Sequence, residues 1–290
     1  MKQIAIVSGK GGTGKTSVSS ALASLATNKI IVDCDVDAAD LFLTMQPTVL
    51  ETFEYEGGKK ALINPEICTT CGICEDLCRF DAIHLVDGQT TVSEFSCDGC
   101  RLCVIACPVQ AIQMLENCDS RWYISTTRFG PMVHAKLGIG EDNSGKLVTL
   151  IRDRAKNIAK EKELDLVLID GPPGIGCPVI STLTGVDIAL MVTEPSLSGL
   201  HDLTRLIELA KGFKLKSFVL INKFDLNSAM SSQIEAYCRA ENIEVLAKIP
   251  FNRDFVDSMV NQQTVVEYSP NSELSNQFRE IWKRIASEFK

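Results

Sequence analysis

No stretch of eighteen consecutive apolar residues occurs in this sequence, which excludes a membrane-spanning helix of ordinary length. Met1 is followed by a polar pair and a short apolar run, with no charged segment ahead of a long apolar one. The chain is therefore expected to be cytoplasmic and to carry no export signal. Basic residues are in deficit as well: 29 Lys and Arg stand against 37 Asp and Glu, a formal net charge of −8. Binding to a nucleic-acid backbone needs clustered Lys and Arg, so no nucleic-acid partner is expected. What remains is 290 residues of ordinary 45% apolar composition, enough for one large α/β domain and a small one.

Cysteine, by contrast, is abundant. Twelve cysteines in a chain read as cytoplasmic point to metal rather than to disulfides. Eight of them fall into two copies of one pattern, Cys68-x2-Cys71-x2-Cys74-x3-Cys78 and Cys97-x2-Cys100-x2-Cys103-x3-Cys107-Pro108. That spacing ligates two [4Fe-4S] clusters and resembles the two-cluster bacterial ferredoxins, in which the fourth cysteine of each run crosses to the other cluster. The resemblance implies one cluster on Cys68, Cys71, Cys74 and Cys107 and a second on Cys97, Cys100, Cys103 and Cys78. Each copy is followed by an Ala-Ile pair, Ala82-Ile83 and Ala111-Ile112, as an internal duplication would leave. An inserted small α+β domain over residues 60–118 is expected, too small to fold without its metal. It is acidic: between Leu62 and Cys118 eight Asp and Glu stand against Arg79 and Arg101, a formal −6. Such a charge suits an electron carrier that docks on basic surfaces.

On either side, over 1–59 and 119–290, strands alternate with helices. Residues 3–7 read as a strand, followed by a loop and a helix through Ala26, and Lys29–Cys34 as a second strand. Further strands are expected at Trp122–Thr126, Leu166–Ile169, Ile188–Thr193, Ser217–Ile221 and Glu244–Ile249. Helices are expected at Ser144–Lys162, Ser198–Lys211 and Ser272–Glu288, and Tyr55–Lys60 reads as a linker. The alternation predicts a doubly wound, mostly parallel sheet with ligands at the carboxyl ends of its strands.

The loop carries chemistry. Gly9 to Thr16 matches G-x-x-x-x-G-K-[ST] between a strand and a helix, the phosphate-binding loop of a P-loop NTPase. Gly9, Gly11, Gly12 and Gly14, with Thr13, let backbone N–H groups point at phosphate oxygens, with Ser17 just behind. Lys15 reaches the β and γ phosphates and Thr16 offers its hydroxyl to Mg²⁺. Lys10-Gly11-Gly12-Thr13-Gly14-Lys15-Thr16 resembles the deviant Walker A of the MinD, ParA, Mrp and nitrogenase iron-protein superfamily. The resemblance implies that Lys10 crosses a homodimer to the partner's nucleotide.

Three further segments fit that resemblance. Leu166–Asp170 is an apolar strand ending in a carboxylate, so Asp170 would support Mg²⁺, and the following Pro173 and Gly174 resemble switch II. Asp35 resembles the switch I aspartate that orients the attacking water and borders the Mg²⁺; Asp33, Asp37 and Asp40 are weaker candidates. Asn222-Lys223-Phe224-Asp225 stands where the superfamily places its base-reading loop. Its match to Asn-Lys-x-Asp leaves GTP open, although the deviant Walker A points to ATP.

The order of motifs is similar nearly end to end to MinD-superfamily P-loop ATPases with an inserted ferredoxin domain. Gly130–Ala135, Ser144–Val148, Gly174–Pro178 and Glu194–Asp202 carry part of that likeness. The combination implies an ATPase in which nucleotide gates electron transfer through two [4Fe-4S] clusters to an unidentified protein partner. A second expectation is cluster assembly or delivery, as in Mrp relatives, although their C-terminal Cys-x-x-Cys is absent: only Cys238 follows Cys177. A third is a MinD-like positioning ATPase whose last helix, with Phe278, Ile281, Trp282 and Ile285 on one face, lies on a membrane; packing on the sheet is the favoured alternative. Cys177 is expected to be a buried core thiol or a metal or redox residue beside switch II, with Cys34 open to the same question. Cys118, Cys238, His134 and His201 read as structural.

Overall fold

The computed structural model describes residues 1–117, 119–138, 141 and 145–289. Cys118 and Ser144 lie outside the described residues. The strands are, in chain order, β1 (Lys2–Ser8), β2 (Lys29–Asp33), β3 (Thr48–Tyr55), β4 (Gly58–Ile63), β5 (Ile83–Val86), β6 (Gln89–Val92) and β7 (Ile112–Asn117). They continue as β8 (Ser120–Thr127), β9 (Gly130–Lys136), β10 (Leu166–Pro173), β11 (Ile188–Thr193), β12 (Lys216–Asn222) and β13 (Glu244–Ile249). Two compact units emerge: Met1–Thr52 with Tyr123–Ala135 and Ser144–Lys290, and Phe53–Trp122 with Lys136–Asn143.

The first unit is built on a sheet of order β13-β12-β11-β1-β10-β2-β9-β8-β3. All pairings from β13 across to β9 are parallel. Its central strands are continuous apolar runs because helices cover both faces, so no residue of β2 or β11 is exposed. One core cluster gathers Ile4, Ile6, Leu190, Leu220 and Ile249 from the strands with Val18, Leu22, Phe278 and Ile285 from the helices Lys15–Leu25 and Glu273–Ala286. The apolar face of the last helix is thus spent inside the protein: Phe278, Ile281 and Ile285 are buried and Trp282 packs against them. That leaves the membrane-lying orientation without the face it needs.

The order 11-1-10 places the chain reversal beside β1, so the loop after β1 opens at the switch point where open α/β sheets bind ligands. The ladder between β1 and β10 shifts register between Ile6 and Ser8, parting the two strands where the loop begins.

The second unit holds two antiparallel pairs, β4 with β7 and β5 with β6. Short helices, Ile73–Asp76 and Leu102–Ala106, occupy equivalent places in the two cysteine runs. Backbone repeats follow: Gly72 and Arg101 both precede their helix at positive φ, as do Asp81 and Gln110 before the two Ala-Ile pairs. Gly99, at φ +69, has a second reason to lack a side chain, because a Cβ there would lie 2.1 Å from the Lys59 carbonyl. The apolar core is small: Ala61, Ile63, Cys74, Ile83 and Ile112, with eight further cysteines or apolar residues half-buried around them, such as Cys68, Cys97 and Val104.

Two expectations need correction. Tyr55–Lys60 is not a linker throughout, since β3 ends at Tyr55 and β4 starts at Gly58, leaving only Glu56 and Gly57 between the strands. The helix Ser228–Ala240 and the strand β9 carry a polar or short pattern that alternation alone did not expose.

Candidate functional site

At the carboxyl ends of β2 and β10, Asp33 and Asp170 face each other across one register pair. The loop after β1 delivers Lys15 between them. Its Nζ lies 3.0 Å from Asp170 Oδ1 and 3.2 Å from Asp35 Oδ2, and donates to Thr16 Oγ1 at 3.3 Å. One turn along the same helix, Ser19 Oγ donates to Asp170 Oδ1 at 2.7 Å. Burial by itself would lower the Lys15 pKa, but Asp170, Asp35 and Asp33 outweigh it and raise it to about 12. Asp33 is 1% exposed and accepts the Asp35 N–H at 3.1 Å. Burial, with Asp170 beside it, pushes the Asp33 carboxyl well above the ordinary range, and burial also raises Asp35.

Three buried carboxylates therefore share one ammonium, an excess of negative charge that a divalent cation would neutralise. Asp170 Oδ2, Asp33 Oδ2 and Thr13 Oγ1 are buried with no hydrogen-bond partner. Buried polar atoms are rarely left this way unless a ligand or ion completes them. The residues fit Mg²⁺ with a nucleotide phosphate.

The loop itself is held from below. Gly14 caps the helix Lys15–Leu25 at φ +91, and a Cβ there would lie 2.3 Å from Asn222 Nδ2. Only glycine allows that approach. Asn222, at the end of β12, donates from Nδ2 to the Thr13 carbonyl at 2.8 Å and accepts the Lys223 N–H at 3.0 Å. Lys223 Nζ donates to the Gly12 carbonyl at 2.8 Å. Asp225 Oδ1 accepts the Phe251 N–H at 2.6 Å. Of this quartet, then, Asn222 and Lys223 brace the phosphate loop, and one Asp225 oxygen is spent on backbone. Beside them Phe224, Lys248, Pro250, Asn252, Leu274 and Gln277 line a hollow.

Lys10 points elsewhere. Its Nζ lies 2.7 Å from Glu194 Oε1 and donates to Ser196 Oγ and Ser198 Oγ, each at 3.0 Å. Glu194 Oε2 takes Lys223 Nζ at 3.0 Å. Burial would raise the Glu194 carboxyl, but hydrogen bonds from the two lysines hold it below its ordinary value. Pro173 closes β10, and the Gly174 N–H that follows donates to the Ser8 carbonyl at 2.8 Å. Asp37 and Asp40 are exposed, unlike the buried Asp33 and Asp35.

In the second unit the cysteines surround two openings. One is lined by Cys78, Cys97, Cys100 and Cys103; the other by Cys68, Cys71, Cys74 and Cys107. Backbone N–H groups of Thr70, Ala82 and Ala111 donate to Sγ of Cys68, Cys78 and Cys107 at 3.4, 3.4 and 3.2 Å. Among the described residues no group of three or more His, Cys, Asp or Glu closes on a single metal ion. Four sulfurs spread around an opening with N–H donors on them are a donor set for a polynuclear cluster.

The remaining candidates are placed as follows. Cys177 is exposed at the start of the helix Cys177–Leu183, not in the core. Cys34 is buried, and burial pushes its thiol well up; Cys238 is buried too. His134 Nε2 pairs with Ser125 Oγ at 2.9 Å, and His201 Nδ1 lies 3.1 Å from Asp202 Oδ1. Ser19 and Glu194 were not singled out as site residues from the sequence. Ser19 could have been found as the residue one helical turn beyond Lys15, and Glu194 as a carboxylate ending a buried strand, the signal that marked Asp170.

The fold and the loop define a P-loop nucleotide-binding α/β protein. Residues 4–265 match the CobQ/CobB/MinD/ParA nucleotide binding domain, and the chain belongs to that family. It is similar to the uncharacterized protein MJ0578 of Methanocaldococcus jannaschii, 33% identical over 286 residues that cover 98% of this chain and 96% of that one. A shorter likeness, 42% over 50 residues, is to the uncharacterized ferredoxin MJ0155 of the same organism; it covers 17% of this chain and 33% of that protein. Among solved structures the chain is similar to the septum site-determining protein MinD complexed with Mg-ADP from Pyrococcus horikoshii, with a TM-score of 0.61 at 19% identity over 100% of this chain and 98% of that one. Among the described residues no helix is long and apolar enough to cross a membrane.

Proposed function

We propose that this chain is an ATPase that gates electron transfer through two [4Fe-4S] clusters to a protein partner, acting as a homodimer when nucleotide is bound. The observation that carries the reading is the pair of openings in the second unit. Each is lined by three cysteines of one run and the fourth cysteine of the other. Nothing in a purely nucleotide-driven protein asks for that arrangement. Bound there, clusters would supply one-electron chemistry, and the N–H donors on sulfur would tune it.

On the nucleotide side Thr16, Asp35 and Asp170 would hold Mg²⁺, which neutralises phosphate charge when bound. Lys15 holds the β and γ phosphates. Asp35, at the loop end of β2, orients the attacking water, whose oxygen bonds to the γ phosphorus as the bond to the bridging oxygen breaks, leaving ADP and phosphate. ATP is favoured over GTP because the deviant Walker A, Lys10 to Thr16, resembles that of the ATPase branch. The chain runs from Asp35 into the second unit within a short stretch, so a phosphate-dependent rearrangement of that segment is the means of gating.

The test is anaerobic reconstitution with iron and sulfide. Eight iron atoms per chain and the paramagnetic signature of two reduced [4Fe-4S] clusters are expected. A Cys107→Ser variant should lose one cluster and keep the other. A single cluster in the unaltered protein, or loss of both in the variant with its fold intact, would contradict the ligand sets.

A further inference from the structure

Glu194 belongs to none of the roles assigned so far. It follows the last residue of β11, a fully buried strand, and its carboxylate bridges two lysines of different loops. One oxygen holds Lys10 of the phosphate loop, the other Lys223 of the loop after β12. Lys10 is satisfied threefold, by Glu194 at 2.7 Å and by the hydroxyls of Ser196 and Ser198. An ammonium has three N–H donors, and all three are spoken for within its own chain. We infer that Glu194 is the positioning residue for Lys10: it holds this lysine in its own subunit and releases it when a second subunit's nucleotide offers a phosphate in exchange.

The inference rests on the proposal that Lys10 acts across a nucleotide-bound homodimer. The same three protons cannot serve Glu194, Ser196 and Ser198 and also a partner's phosphate, so dimerisation must break contacts already made. Glu194 is the one acceptor of the three that carries a charge opposite to Lys10, and at 2.7 Å it is the nearest, which makes it the dominant member of the hold and the two hydroxyls the lesser ones. The second lysine gives the device a sensor. Lys223 Nζ donates both to Glu194 and to the Gly12 carbonyl, so nucleotide entering the loop shifts a group that shares Glu194 with Lys10. A loop filled by triphosphate is thereby linked to the freeing of Lys10, and an empty loop keeps it held.

Sedimentation velocity of the full chain, prepared anaerobically with clusters and Mg²⁺ and run over a protein concentration series, tests this. With AMP-PNP, Glu194→Gln is expected to reach half-dimer at a concentration lower than the unaltered chain by about fivefold or more, because the amide keeps an acceptor for Lys10 and loses the ion pair. With ADP both should stay monomeric, and Lys10→Ala should fail to dimerise with or without Glu194→Gln. A Glu194→Gln midpoint equal to or above that of the unaltered chain, while Lys10→Ala fails, overturns the positioning role and leaves the dimer reading standing. Lys10→Ala dimerising like the unaltered chain overturns the reading on which the inference rests. Binding of a fluorescent ADP checks that Glu194→Gln keeps its site. If it does not, Ser198→Ala decides: it removes one acceptor from Lys10 and leaves the Glu194–Lys223 pair, and a midpoint lowered about twofold supports the role, whereas an unmoved or raised one overturns it.

Discussion

The two units hold their chemistry in opposite ways. In the first, a broad apolar core of strand and helix residues forms without any ligand, and the charged site sits on its rim at the strand ends. In the second, the core cluster holds five buried residues, Cys74 among them, and further cysteines pack around it. The contrast predicts that the first unit folds before it binds and that the second folds around what it binds. The difference shows where each is vulnerable, and it can be broken or sharpened by experiment.

The largest effect should come from removing iron. Chelation under anaerobic conditions is expected to abolish hydrogen-exchange protection across β4 to β7 and to leave protection in β1, β10 and β11 unchanged. Persistence of protection in the second unit would erase the contrast. Next comes the charged rim of the first unit. Lys15→Ala strands three buried carboxylates and should cost about 3–5 kcal/mol in the denaturation of that unit, with loss of nucleotide binding. The cluster absorbance should be untouched.

A smaller effect separates the units by acid. His134 is buried beside Ser125, and burial lowers its pKa from 6.5 to about 4. The unfolded chain takes up a proton as pH falls through about 6.5 while the folded one does not, so stability is lost between about 6.5 and about 4. By pH 5 this single group should cost about 2 kcal/mol. His134→Gln should remove that part of the loss, read from urea midpoints at pH 7 and pH 5; equal pH dependence in both proteins would show that His134 is not its source. The smallest expected change is at Asn222→Ala. It leaves the Thr13 carbonyl without its donor and should weaken ADP binding about tenfold by calorimetry, with no change in cluster content.

What could be read from the sequence followed the same division. β11 runs as expected from Ile188 to Thr193, because a buried parallel strand is an uninterrupted apolar run. β3 was hidden: most of its residues are exposed, and its Thr and Glu residues look like loop. In the site, Lys15, Thr16 and Asp170 were legible because a loop between strand and helix leaves few places for them. Asp33 and Glu194 do not stand out in the sequence, since a carboxylate at a strand's end gives no sign of which neighbour the sheet order will bring to it. The pairing of Asp33 with Asp170 depends on β2 lying beside β10, more than a hundred residues away in the chain. Asn222 was read as a base contact, and its bond to Thr13 depends likewise on a tertiary approach that only Gly14 permits.

The claim that joins the units is that nucleotide governs the clusters. Stopped-flow oxidation of the dithionite-reduced protein by a small-molecule acceptor, in the nucleotide-free, ADP and AMP-PNP states, measures it directly. A rate with AMP-PNP that differs severalfold from the other two, and loses that difference in Lys10→Ala, is the predicted result. Equal rates in all three states would contradict it.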